Sequence, residues 1–213
     1  MINAMTIIKK KETLSYLDFQ AYWRKEHANI VTRSPDIGTY VQSHPIYKNH
    51  LEFDGDIDGL AEIWFEDTAA MRKLAATEEY RAIQEDEKVF IDSKSVRLII
   101  AEDTLTINGA VTDRKILLFT KKPSIVDLNV FRDKSLKLNF NDLRHIISRS
   151  KVSLPKTGGY KNGKVPEWDA IFTFWVEEDV SQKTISTLIA GVSDLSSKTI
   201  GKYCQSILIK KNN

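Results

Sequence analysis

The sequence is poor in cysteine: among its 213 residues only Cys204 is one. A single cysteine cannot form an internal disulfide, so the fold must rest on its core, and we predict a reducing compartment, the cytoplasm. The sequence also shows no signal-peptide pattern and no apolar run near the roughly 18 residues of a membrane helix, so we expect neither element. Cys204 lies in the strand-like stretch YCQSILI, away from any histidine in sequence, which favours a packed thiol over a nucleophile.

Excess charge of one sign is also missing. The 31 basic and 29 acidic side chains leave a net charge of only +2. That value does not indicate a nucleic acid or an anionic membrane as a partner, and neither is predicted. The 42% hydrophobic content suffices for a substantial core.

Metal-binding and phosphate-binding motifs are lacking as well. His27, His44 and His50 with Asp54 show no paired-ligand spacing, and we predict no metal and no cofactor. The stretch DGDIDG at 54–59 resembles the opening of a calcium loop, but the twelfth position is Phe65 instead of a glutamate. The glycine-rich TGGYKNGK at 157–164 precedes a strand, so it predicts a hairpin loop.

The sequence does contain an internal repeat. Each half predicts strand, helix, strand, strand, helix, strand, the split βαβ order. Ser15 and Ser124 each precede an aspartate by three places and predict capping-box helix starts. The stretches IDGLAEIWFE (57–66) and WDAIFTFWVEE (168–178), one in each half, also align with each other.

The predicted fold class is therefore α+β, with two tandem ferredoxin-like halves that pair their antiparallel sheets into an intrachain dimeric α+β barrel. The predicted domains are 1–107 and 113–213, joined by a linker with the composition INGAVTD. This arrangement is an internal pseudo-dimer, and a further homodimer is left open.

One predicted helix carries a histidine on its buried face. The helical pattern of that face comprises Phe19, Tyr22, Trp23, Glu26, His27 and Ile30. His27 is interpreted either as a core histidine bonded to a backbone carbonyl or as a proton-transfer group.

Two predicted strands add polar groups. Tyr40 and His44 share one strand face, and Asp58 and Glu62 share another. If these faces meet the helix, an imidazole, a phenol and a carboxylate converge, which suits acid–base chemistry. The carboxylates are equally explained by an ion pair or a strand-edge hydrogen bond.

The stretches FQAYWRKEHANIV, TYVQSHP, DIDGLAEIWFED and QEDEKVFID resemble the EthD family of the dimeric α+β barrel superfamily. The resemblance covers about residues 5–105 and implies a ligand cavity between helices and sheet. Its motifs fall on the following residues: Tyr22, Trp23, Arg24, His27, Tyr40, His44, Asp58, Gly59, Glu62, Trp64, Asp86 and Glu87.

The second half departs from this pattern. At an offset of 109, Arg132 replaces Trp23 and Leu136 replaces His27, and at 111 Thr173 replaces Glu62. We therefore expect one functional cavity, in the N-terminal half, with the other half as a structural partner.

The resemblance and the polar residues together predict a protein that acts on a small hydrophobic, aromatic or ether-derived molecule. The chemistry would be that of a cofactor-free oxidoreductase or cyclase. His27, Tyr40 and Glu62 are the predicted catalytic residues, and the predicted ligand-binding residues are Tyr22, Trp23, His44, Asp58 and Trp64. The alternative is a binding or accessory protein that does no chemistry. The sequence leaves open whether the protein is an enzyme.

Overall fold

The computed structural model describes residues 1–46, 57–158, 160, 165–177 and 180–210. The chain divides into two compact units, of which the first comprises Met1–His44, Asp56–Ile100 and Ile207–Asn213 and the second Pro45–Gly55 and Ala101–Ser206. The predicted domain bounds, 1–107 and 113–213, stay a prediction. The interpretations of His50 and of residues 54–56 concern positions outside the described residues, as does most of the predicted hairpin loop at 157–164.

The first unit follows the predicted order. It contains, in chain order, β1 (Ile2–Ile8), α1 (Tyr16–Tyr22), a π-helical turn (Trp23–His27), α2 (Ala28–Val31), β2 (Tyr40–Pro45), β3 (Gly59–Phe65), α3 (Thr68–Leu74), α4 (Glu78–Phe90) and β4 (Arg97–Ile107), the last continuing into the second unit. Ser15 caps α1 as predicted, since its Oγ accepts the Asp18 N–H at 3.1 Å.

The second unit repeats the order. It contains β5 (Arg114–Lys121), α5 (Leu128–Lys137), a 3₁₀ turn (Asn141–Leu143), β6 (Ile147–Pro155), β7 (Ala170–Val176), α6 (Gln182–Ser193) and β8 (Lys198–Lys210), the last belonging to the first unit from Ile207 onward. The prediction that Ser124 starts the helix is wrong. Asp127 is the N-cap, and its carboxylate accepts the N–H groups of Asn129 and Val130. Ser and Asp are both good caps, so the sequence alone did not choose between them.

The sheet register of the first unit decides which side chains face the helices. In the antiparallel sheet β1–β3–β2, Ile63 lies opposite Ala4 on one side and Tyr40 on the other. Tyr40 therefore shares a face with Gly59, Ala61, Ile63 and Phe65, since residues two apart along a strand point the same way. This is the all-apolar face of β3, and the helices of the same unit cover it.

The second unit has its own antiparallel sheet, in which β5 pairs with β8 and β7, β7 with β6, and the end of β4 with β6. Phe131, Phe172 and Phe174 belong to its core. Cys204 is 1% exposed within β8, so the predicted packed thiol is confirmed. Within the described ranges, no helix combines the length and the apolar composition needed to span a membrane. Placement in the cytoplasm stays a prediction.

Candidate active site

A π-helical turn places His27 in the interior of the first unit. Phe19, Trp23, His27 and Val31 follow one another at intervals of four residues, and all four are at most 4% exposed. In a regular α-helix each step of four residues rotates the face by about 40°. The wider turn at Trp23–His27 reduces that drift and keeps the four side chains on one face. Glu26, predicted on this face, is exposed instead.

Asp86 of α4 holds the imidazole of His27. Its Oδ2 lies 2.7 Å from His27 Nδ1, and its Oδ1 accepts the phenolic O–H of Tyr22 at 2.6 Å. The bond to a carboxylate places the ring proton on Nδ1, which leaves the lone pair on Nε2. Burial lowers the pKa of His27, although Asp86 opposes that shift. The imidazole is therefore a neutral base at neutral pH.

Tyr40 stands on the sheet opposite this helix, with its hydroxyl held by two donors. Trp23 Nε1 donates to the Tyr40 oxygen at 3.2 Å, and Gln42 Nε2 donates to it at 3.0 Å. A phenolic oxygen accepts two hydrogen bonds, so the remaining capacity of Tyr40 is its own O–H donor. Burial raises the pKa of Tyr40, which keeps this donor protonated.

A cavity of about 120 Å³ lies between these helices and the sheet. Its apolar lining consists of Ala4, Ile8, Trp23, Val31, Ile37, Ala61, Ile63, Phe65, Met71, Leu74, Ala75, Ile83, Ile91 and Leu98. Five polar residues complete it: Thr6, His27, Tyr40, Tyr80 and Glu87. Its size is close to the roughly 150 Å³ of an apolar protein cavity that admits benzene. The cavity is therefore large enough for a ligand with about one aromatic ring.

Helix α4 contributes two further titratable groups to the cavity. Tyr80, Ile83 and Glu87 are spaced so that they share one helix face, and all three line the cavity. Burial, together with the neighbouring Asp86 charge, raises the pKa of Glu87 to about 7. Burial also raises the pKa of Tyr80. A second proton donor or acceptor thus lies in the same cavity as His27.

Three of the predicted site residues line the cavity: His27, Tyr40 and Trp23. Two others support it. Tyr22 reaches Asp86, and His44 Nε2 lies 2.8 Å from Gln42 Oε1, while its Nδ1 contacts Gln20. Burial lowers the pKa of His44 to about 3, with Arg24 adding to that effect, so this ring is neutral.

The other three predicted residues lie away from the cavity. Glu62 points to the opposite face of β3, where Asn3 Nδ2 donates to its Oε1 at 3.2 Å. Trp64 shares that face because it is two residues along. Asp58 accepts the Lys10 backbone N–H at 2.9 Å and so fixes the end of β1. The roles assigned to these three residues from the sequence stay predictions.

Two residues of the cavity, Tyr80 and Glu87, and the carboxylate partner Asp86 were given no role from the sequence. Asp86 and Glu87 fall on the acidic motif of the EthD resemblance, which was the one signal for them. Tyr80 had only its helical spacing from Glu87 as a signal. Within the part of the chain that the structure describes, no group of three histidine, cysteine, aspartate or glutamate side chains is arranged to hold a metal ion.

The sequence of residues 11–94 matches the family model of the EthD domain. This segment is similar to the EthD domain. The predicted resemblance is thereby confirmed, and the segment contains His27, Tyr40, Asp86 and Glu87. Among curated proteins, none matches the chain.

Solved structures similar to the whole chain share its fold at low sequence identity. A "putative monooxygenase" from Lactobacillus acidophilus NCFM is 13% identical, with 99% of this chain and 96% of that chain covered and a TM-score of 0.56. An anthrone oxidase-like protein is 11% identical, with coverages of 100% and 94% and a TM-score of 0.57. Chlorite dismutase from Candidatus Nitrospira defluvii is 9% identical, with coverages of 95% and 90% and a TM-score of 0.50. The predicted α+β barrel fold class is confirmed.

Proposed function

We propose that the EthD-like segment of this chain is a cofactor-free acid–base catalyst for a small aromatic ketone or phenol-like molecule. One observation carries the proposal: His27, whose imidazole is oriented by Asp86, and Tyr40, whose hydroxyl keeps its own donor, line the same small apolar cavity. A base and a hydrogen-bond donor on either side of one cavity suit removal of a proton next to a carbonyl.

The proposed step is enolisation. His27 Nε2 takes the proton from a carbon adjacent to the carbonyl, and the electron pair of that C–H bond moves onto the carbonyl oxygen. The Tyr40 O–H donates a hydrogen bond to the resulting enolate oxygen, where charge develops. The neutral state of His27 and the protonated state of Tyr40 are the states that this step needs.

The enolate is the common intermediate of cyclase and oxidase chemistry. An enolate attacks a second carbonyl in a cyclisation, or it gives up electrons to dioxygen in a cofactor-free oxidation. The names of two structural neighbours, an anthrone oxidase-like protein and a "putative monooxygenase", favour the second course. The shared first step is the part that His27 and Tyr40 support directly.

Proton exchange into D₂O tests the first step without knowledge of the final product. We expect the protein to accelerate deuterium incorporation at the acidic carbon of 2-indanone, followed by NMR. His27→Gln should reduce the rate by about 100-fold or more. His145→Gln is the matched control, because His145 is an exposed histidine of the second unit. Equal rates in wild type and His27→Gln would refute the assignment of the base.

The alternative, a carrier that binds the molecule without reaction, is favoured by the predominantly apolar lining. In that case 2-indanone would bind saturably and its exchange rate would equal that in buffer. A His27→Phe variant would then still bind the ketone. Measured affinity together with measured exchange therefore separates the carrier from the enzyme.

A further inference from the structure

The second unit has a cavity of its own, of about 490 Å³, beside the start of α5 and the segment that leads into β7. We call it the second cavity, and the residues used below are Leu128, Arg132, Val165, Trp168, Lys122 and Asp169. Arg132 stands 109 positions after Trp23, so the second half places a cation where the first half has an indole. The expectation of a purely structural second half did not account for this cation.

The charges around the second cavity favour an anion. Lys121, Lys122 and Arg132 line it, against a single carboxylate, Asp169. That carboxylate is already engaged, since it accepts the Lys122 backbone N–H at 2.9 Å. Lys198 adds a further positive charge, with its Nζ 5.2 Å from the centre of the Trp168 ring. A cavity with this balance attracts negatively charged ligands.

Two buried donors of the second cavity have no acceptor among the described residues. They are Trp168 Nε1, on a side chain that is 0% exposed, and Arg132 Nε, and the two residues that carry them line the second cavity. Arg132 is held in place by the bond from its Nη2 to the carbonyl of Pro155. Buried N–H groups are rarely left unpaired in native proteins, and a carboxylate accepts from both an indole and a guanidinium. The cavity therefore suits a ligand that supplies acceptor oxygens.

Apolar groups form a further part of the wall. Leu128 and Val165 line the cavity beside the Trp168 ring. An inorganic anion would leave these groups without a contact, whereas an aromatic or aliphatic body attached to the carboxylate would cover them.

We propose that the second unit binds a small organic carboxylate, whose oxygens accept from Arg132 and Trp168 and whose apolar body packs against Leu128 and Val165. This site is separate from the cavity of His27, and its existence does not depend on the proposed enolisation.

Benzoate is the probe, and the indole N–H resonance of Trp168 is the readout, in ¹⁵N-labelled full-length protein. Loss of one peak in Trp168→Phe assigns the resonance. We expect a saturable shift of that resonance with benzoate and at least tenfold weaker binding of benzyl alcohol, the uncharged analogue. Arg132→Gln should weaken benzoate binding at least tenfold. Arg144→Gln, which removes an exposed arginine of the same unit, should leave it unchanged.

Several outcomes would overturn the proposal. One is a Trp168 resonance that stays fixed at saturating benzoate, a result that needs no variant. Equal affinity for inorganic phosphate and benzoate would show that the site binds anions in general. It would refute the proposed packing of an organic body against the apolar wall. Unchanged affinity in a folded Arg132→Gln protein, as judged by thermal unfolding, would remove the guanidinium from the site.

Discussion

Asp86 Oδ2 lies 2.7 Å from His27 Nδ1, across 59 residues of sequence and between two different helices. The same carboxylate accepts the Tyr22 hydroxyl through its other oxygen. Because both oxygens are engaged, the carboxylate plane is fixed, and with it the orientation of the imidazole. The Tyr22 bond and the burial of its phenol raise the Tyr22 pKa to about 12, so that hydroxyl remains a donor throughout the physiological range.

The first prediction concerns Asp86→Asn. An amide of the same shape can donate to His27 Nδ1 and so favours the wrong tautomer, with the ring proton on Nε2. We expect deuterium exchange of 2-indanone to fall by about 100-fold or more, with little change in ketone affinity. Tyr22→Phe removes only one of the two bonds to the carboxylate and should cost about tenfold or less. Equal losses in both variants would contradict an orienting role for Asp86.

The second prediction concerns the pH profile. Burial lowers the pKa of His27 below its usual 6.5, so the neutral base persists through neutral pH and is lost only as the pH falls below that lowered value. The exchange rate, measured as kcat/KM, should therefore be flat from about pH 8 to about pH 6.5 and decline below. If Glu87 were the base instead, its pKa of about 7 would give a different pH profile. A decline centred near pH 7 that Glu87→Gln abolishes would assign the base to Glu87.

Much of this site could be predicted from local patterns, because local patterns decide helix faces and strand faces. The four-residue spacing of Phe19, Trp23 and His27 predicted a buried face, and alternation along β3 predicted which residues share a side. Register and helix packing are different, since they depend on contacts far apart in sequence. The pairing of Tyr40 with Ile63 is what turns Glu62 away from the cavity. No pattern near His27 specified Asp86 as its partner.

The third prediction concerns Tyr40→Phe. The change removes the donor proposed for the enolate oxygen and also leaves Trp23 Nε1 and Gln42 Nε2 without that acceptor. We expect about 10²-fold slower exchange and a loss of about 1–3 kcal/mol in the free energy of unfolding. Tyr80→Phe is the comparison, since it also removes a phenol from the cavity wall. A stable Tyr40→Phe protein with full activity would refute both roles of the hydroxyl.

The fourth prediction concerns Glu87 and stability. Burial raises its folded-state pKa from 4.5 to about 7, so the folded protein binds this proton more tightly than the unfolded chain does. Its contribution is fully present below about pH 4.5 and is lost as the pH rises to about 7. Glu87→Gln should therefore raise the free energy of unfolding by about 2 kcal/mol at pH 8 and change it little at pH 4.

Glu85→Gln is the matched control for Glu87→Gln, on the same helix. Glu85 is exposed and pairs with Lys88 at 2.5 Å on the surface. Its replacement should change the free energy of unfolding by about 0.5 kcal/mol or less at either pH. A gain at pH 8 that is equal for the two variants would reflect the net charge of the protein, and the burial argument for Glu87 would fail.

The last prediction concerns Gly59, which lies on β3 beneath the indole of Trp23. A Cβ at this position would come within 2.7 Å of Trp23 Cη2 and 3.1 Å of Ile8 Cδ1, both on buried side chains with little room to move. Gly59→Ala should therefore displace the indole, lower the free energy of unfolding by about 1–3 kcal/mol, and disturb the bond from Trp23 to Tyr40. Gly158→Ala is the control, because a Cβ there meets nothing within 4 Å, and its effect should stay within about 0.5 kcal/mol. Chemical denaturation of both variants, together with the exchange rate of the ketone, tests whether the Trp23 indole holds Tyr40 in place. If Gly59→Ala is as stable and as active as Gly158→Ala, the Trp23 indole does not hold Tyr40 in place.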